Sequence, residues 1–114
     1  MDESILESIK KLLGIAENDI SFDTDIIIDI NTIFVILWQM GVGPSKPFRI
    51  NGTNEIWSDF LESSDELEPV KSFVHLRVAQ LFDAPQNSIV EQSRKELIDE
   101  LGWRLYTSAD SEII

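Results

Sequence analysis

Asp23-Thr-Asp-Ile-Ile-Ile-Asp-Ile-Asn-Thr-Ile-Phe-Val-Ile-Leu-Trp-Gln-Met-Gly-Val-Gly-Pro44 reads as one capped helix, apolar around most of its circumference. Asp23 or Thr24 can cap its start, and Asp25 suits the positive end of the helix dipole. Gly41 can adopt the left-handed conformation that closes a helix, and Pro44 prevents continuation. Within a helix from about Asp25 to Met40, Ile26, Ile30, Ile33, Leu37 and Met40 form the main seam. Ile27, Phe34 and Trp38 widen it, Asp25, Asp29, Thr32 and Gln39 make a narrow polar stripe around Ile36, and Ile28 and Val35 fall outside the seam. A helix this apolar is expected to be wrapped by other helices, by other subunits, or by both.

Helical periodicity organises the rest of the chain. From Ser4 to Leu13, Ile5, Leu6, Ile9, Leu12 and Leu13 share one side, with Glu7, Ser8, Lys10 and Lys11 elsewhere; Gly14 ends that helix. Gly41 to Thr53 is a loop in which Lys46 to Gly52 has room for a short extended piece, with Asn51-Gly52 as the tight turn of a small hairpin. Ile56 to Leu61 is a short helix carrying Trp57, Phe60 and Leu61. After the acidic link at Ser63 to Glu68, Pro69 sits in the first turn of a helix that runs to about Phe82, with Leu67, Val70, Val74, Val78 and Leu81 aligned. Asp83-Ala-Pro85 breaks it. The last helix is predicted from about Asn87 to Leu105, with Val90, Leu97, Ile98, Leu101 and Leu105 on one side. The expected architecture is all-α: a compact bundle of four main helices, one short helix and a structured loop. One helical domain is expected over residues 1–106, followed by a flexible acidic tail over 107–114.

Composition narrows the function classes. The chain has 114 residues, 21 Asp and Glu against 9 Lys and Arg, and a formal net charge of -12. Such a surface repels phosphates and anionic membranes. There is no cysteine, hence no disulfide framework and no thiolate metal site. Met1-Asp-Glu-Ser4 lacks the basic, then apolar, start of a signal peptide. The apolar run of the second helix is shorter than the roughly 20 residues of a membrane span. The expectation is a soluble, cytoplasmic protein with no membrane partner.

Conventional chemistry finds little support. His75 is the only histidine, beside an apolar seam, and reads as a partly buried or surface residue. Asp19, Asp23, Asp25 and Asp29 could offer oxygens to a hard cation, but Ile27 and Ile28 stand where a calcium loop needs polar ligands and glycine. Capping and solvation account for them better. Gly41-Val-Gly-Pro44 follows a helix rather than preceding one, so it terminates a helix and cradles no phosphate. No catalytic residue, metal or cofactor is expected. Arg77 and Arg94 fall within apolar stripes; they are read as reaching to the edge with wet heads, the alternative being an ion pair with Asp29 or a neighbouring subunit. Trp103 projects away from the Leu97-Leu101-Leu105 face. Together with Trp57 and the loop residues Val42, Pro44, Phe48 and Ile50 it makes a candidate interaction surface, with core burial of Trp57 as the competing reading.

The strings Ser4-Ile-Leu, Ile9-Lys-Lys-Leu-Leu-Gly-Ile15, Phe22-Asp, Asp25-Ile-Ile, Gly41-Val-Gly-Pro44, Trp57-Ser-Asp-Phe-Leu61, Leu81-Phe-Asp-Ala-Pro85 and Trp103-Arg-Leu105 resemble head–tail connector, or adaptor, proteins of tailed phages and prophages of Gram-positive bacteria. The resemblance spans residues 4 to 105, and the acidic tail after Tyr106 matches nothing in it. It implies a non-catalytic α-helical subunit that joins a ring of its own copies beneath the portal protein and docks later neck or tail-completion proteins. DNA would pass through without specific binding. The implied location is the host cytoplasm during assembly and the virion neck afterwards. A different class is also open: an acidic regulator that mimics DNA charge and binds a host nucleic-acid-binding protein, although the acids are scattered among caps, links and faces.

Overall fold

The computed structural model describes residues 3–61, 67–82 and 88–113, with side chains in the last segment from 92 to 107. It is all-α: α1 (Ile5–Leu12), α2 (Asp23–Gln39), α3 (Trp57–Phe60), α4 (Leu67–Phe82) and α5 (Ser88–Ile113). α1 packs on α2, and α4 lies between α2 and α5. The acidic link over 62–66, the Asp83 to Pro85 break, the side chain of Val90 and the terminal Ile114 lie outside the described residues.

α1 begins where the Ser4 hydroxyl accepts a hydrogen bond from the Glu7 amide (3.3 Å), and Gly14 at φ 81° closes it. Ile5, Leu6 and Ile9 are buried as the periodicity requires, but so are Ser8 and Lys10, which the sequence placed off that side, while Leu12 is exposed. Lys10 is only 2% exposed. Its ammonium lies 2.8 Å from Oδ1 of Asp23 and donates to the Glu17 carbonyl at 3.2 Å. A buried ammonium needs such partners. The expected capping by Asp23 or Thr24 is therefore replaced. α2 starts at Asp23 itself, Phe22 precedes it with no side-chain cap, and the Asp23 carboxylate is turned to Lys10.

α2 fills the centre. Ile26, Ile30, Ile33, Phe34 and Leu37 are fully buried, each contributing roughly 1.5–3 kcal/mol of gross apolar transfer. Gly41 at φ 84° ends the helix as expected. The following loop forms no hairpin, and among the described residues there is no strand. It is fastened by side chains instead. The Asn31 amide donates to the Ile50 carbonyl (3.0 Å) and accepts from the Ile50 amide (2.8 Å). The Glu55 carboxylate accepts from the amides of Asn51 and Gly52 (3.0 and 3.4 Å). Among the described residues the bridge-type backbone pairing is one antiparallel bridge of Ser4 with Ile56, next to the Ile5 amide donating to the Glu55 carbonyl (3.0 Å).

Within this loop Gly43, at φ 97°, lies so close to Phe60 that an added Cβ would sit 2.6 Å from its ring. Only glycine meets both demands. α4 buries Val70, Phe73, Val74, Val78 and Ala79. Phe73 and Ala79 join the expected seam because α4 is covered from two sides, and the seam's predicted last member, Leu81, is exposed. α5 buries Ile98 and Leu105 and leaves Leu97 exposed. The α5 helix runs on to Ile113.

Removing the Asn31 amide leaves both polar groups of Ile50 without their partner. Asn31→Ala should lower stability in urea denaturation by about 2–4 kcal/mol, from two unsatisfied backbone groups. A loss under about 0.5 kcal/mol would mean that the loop is held by other contacts.

Candidate assembly surface

The structure divides the predicted interface residues. Trp57 (1% exposed), Ile50 and Val42 are sealed in the core, and Phe48 packs half-buried against it. Pro44 and Trp103 are exposed. Of the six candidates, Pro44 and Trp103 therefore lie on the outside of the chain, while Val42, Ile50 and Trp57 lie within it. The loop folds back because its apolar side chains complete a cage around Phe34, whose ring centroid lies 4.6 Å from Phe60, 5.3 Å from Phe48 and 6.3 Å from Trp57. The Trp57 indole also finds its polar partner inside: Nε1 donates to the Ser8 hydroxyl (2.8 Å), which donates to the Ile5 carbonyl (2.9 Å). Of the two readings of Trp57, core burial holds.

The exposed apolar surface lies elsewhere. On α5, Trp103 is 67% exposed, and Leu97 and Tyr106 are exposed with it. Gly102 lets this helix approach α4, since a Cβ there would meet the Phe73 ring at 3.3 Å; Trp103, one residue on, faces away. On the outward side of α2, Ile28, Val35 and Trp38 are exposed, as are Phe22 before it and Leu81 at the end of α4. Phe22 meets Phe82 edge-on at 5.4 Å, which ties the start of α2 to the end of α4. The sequence had already set Ile28 and Val35 outside the main seam of α2. That was the available signal for this second surface.

The charged candidates do not converge. Arg77 and Arg94 are half-buried. Nη1 of Arg77 donates to Gln80 (3.2 Å), and its Nε is buried with no hydrogen-bond partner in view. Asp29 has no cation at ion-pair distance among the described residues. Burial first, and the charge of Asp25 second, hold its carboxyl above the ordinary carboxylate range, whereas an arginine beside it would act the other way. The Asp29–Arg77 pair is therefore not formed. His75 is half-buried, and burial first, then the charge of Arg94, lower its affinity for a proton, against a smaller opposing effect of the Leu12 carbonyl. No group of three His, Cys, Asp or Glu side chains among the described residues is arranged to hold a metal ion. No helix among them is long and apolar enough to cross a membrane.

The described residues thus form an all-helical body whose exposed features are apolar and acidic. Comparison with protein families matches residues 5–112 to the family described as phage connector protein, and the chain belongs to that family. The match runs past Leu105, where the resemblance read from the sequence stopped, into the helical extension of α5. No curated protein and no solved structure matches the chain.

Two outcomes follow from these placements. Trp103→Ala should leave thermal stability within about 0.5 kcal/mol of the parent, as for an exposed side chain, whereas Trp57→Ala should cost about 3–5 kcal/mol. Equal losses in thermal unfolding would contradict the assignment of one tryptophan to the surface and the other to the core. For His75, the unfolded chain binds its proton more readily than the folded one. Its contribution to stability is present above the ordinary histidine value of about 6.5 and is lost as pH falls through the lower folded value. His75→Gln should flatten the fall in melting temperature below pH 6.5; an unchanged slope would remove His75 from the account.

Proposed function

We propose that the chain is a non-catalytic subunit of phage assembly that forms a ring of its own copies beneath the portal protein and docks later neck or tail-completion proteins. The observation that carries this reading is the family match over nearly the whole helical chain. Membership in a connector family implies assembly with other phage structural proteins and a place in the virion. The exposed apolar residues of α5 support it. A surface tryptophan with exposed Tyr106 one turn further along the helix is the type of anchor that protein interfaces use. The excess of acid suits a channel that DNA traverses without adhering.

The DNA-mimic alternative is not favoured by the placement of the acids. Asp23 neutralises Lys10, Glu55 holds the loop amides, and Asp59 accepts from the Ile56 amide at the start of α3 (3.0 Å). Carboxylates used in this way are positioned by the fold rather than spaced like phosphates.

The test combines purified portal complexes with the chain and follows them by electron microscopy and co-sedimentation. The expected result is an added ring of density on the portal that Trp103→Ala weakens while the variant stays folded. Portal complexes that never retain the chain, together with particles lacking it that still join tails normally, would overturn the reading.

A further inference from the structure

The outward side of α2 carries a pattern that a ring contact through α5 does not use. Ile28, 57% exposed, lines two shallow grooves at once. One is bounded by Phe22, Asp25, Asp29 and Leu81. The other is bounded by Thr32, Val35, Pro47 and Arg49. The first end is acidic, with no ion pair on Asp25 or Asp29 among the described residues. The second end is basic: Arg49, with exposed Lys46 nearby in the chain, likewise has no ion pair among the described residues. From Met40 to Asn54 the chain carries Lys46 and Arg49 and no acid, although it has 21 acids in all. One apolar strip thus has opposite charges at its two ends, separated by roughly 10–15 Å along a helix that rises 1.5 Å per residue.

We propose that a second copy of this chain docks on this strip, the two α2 helices crossing in an antiparallel sense so that Asp25 and Asp29 of each copy meet Arg49 of the other. Both charges lie on one face and share Ile28, so a two-fold axis in the plane of contact exchanges them. Such a contact is self-complementary. A ring contact is head-to-tail and needs two different faces of the subunit, so this pair is distinct from the proposed ring. It covers Ile28 and Val35 in the free protein. The net charge of -12 on each copy opposes it, which makes the pair weak and readily exchanged for assembly contacts.

The test is sedimentation equilibrium of the full chain from about 1 μM to 1 mM, where a reversible dimer is expected with a dissociation constant on the order of 10–500 μM. Asp25→Lys with Asp29→Lys in one chain should raise that constant by about 10-fold or more, although the substitution makes the chain less negative. Lys46→Glu with Arg49→Glu should do the same. Mixing the two variants should restore pairing, since both charge contacts are then again between opposite signs. Ile28→Ser should also weaken the dimer without any change of charge, and circular dichroism checks that each variant stays folded. A chain that remains monomeric throughout, a dimer that none of the variants weakens, or a mixture that fails to pair would overturn the proposal. A ring seen on the portal while the free chain stays monomeric would overturn this pair and leave the proposed assembly role standing.

Discussion

The backbone of Ile50 has to be satisfied inside the protein, and a single side chain does it. Asn31 gives its amide hydrogen to the Ile50 carbonyl and its oxygen to the Ile50 amide, doing for one loop residue what a neighbouring strand would do for several. With that residue held against α2, Val42, Phe48 and Ile50 come down around Phe34, and α3 follows with Trp57 and Phe60. The N-terminal segment then pairs with the end of the loop at Ser4 and Ile56. A chain segment without helix or strand becomes part of the core in this way. Its polar and charged residues, Lys46 and Arg49 among them, stay outside.

A second constraint governs charge. The chain has few cations for its acids, and one of them, Lys10, is placed in the interior. Its ammonium joins the link after α1 to the first residue of α2 through the Glu17 carbonyl and the Asp23 carboxylate. Oδ1 of Asp23 has no aligned hydrogen-bond donor, so the attraction there is Coulombic, in a setting that water screens poorly. Asp23 is consequently withdrawn from the capping role that its position suggests. The acids left outside carry the repulsive surface, and Asp29, with Asp25 beside it and no cation at hand, carries the local cost of that surplus.

These two constraints separate what holds the chain together from what it offers to others. The loop aromatics and Trp57 serve the core; Trp103, Tyr106 and Leu97 on α5, and Ile28 and Val35 on α2, remain outside. This member of the phage connector protein family thus keeps exposed apolar residues on two different helices. The α5 helix itself continues to Ile113, beyond the part of the chain with an evident apolar seam.

Much of the helical frame was legible in the residues. Apolar spacing located the helices, Gly14 and Gly41 ended α1 and α2 through positive φ, and Pro69 fell in the first turn of α4. The exposure of Trp103 followed from its angle on α5, and the oddity of Ile28 and Val35 from theirs on α2. Local periodicity carries this information because a helix's faces are set by its own geometry. Tertiary structure alone decided the fate of Lys10, Ser8, Asn31 and Trp57, since each is defined by a partner distant in the chain or in another element: Asp23, Trp57, Ile50 and Ser8. It also decided that the loop turns inward and that α4 is covered on two sides, because no single helix or loop records in its own sequence what will be packed against it.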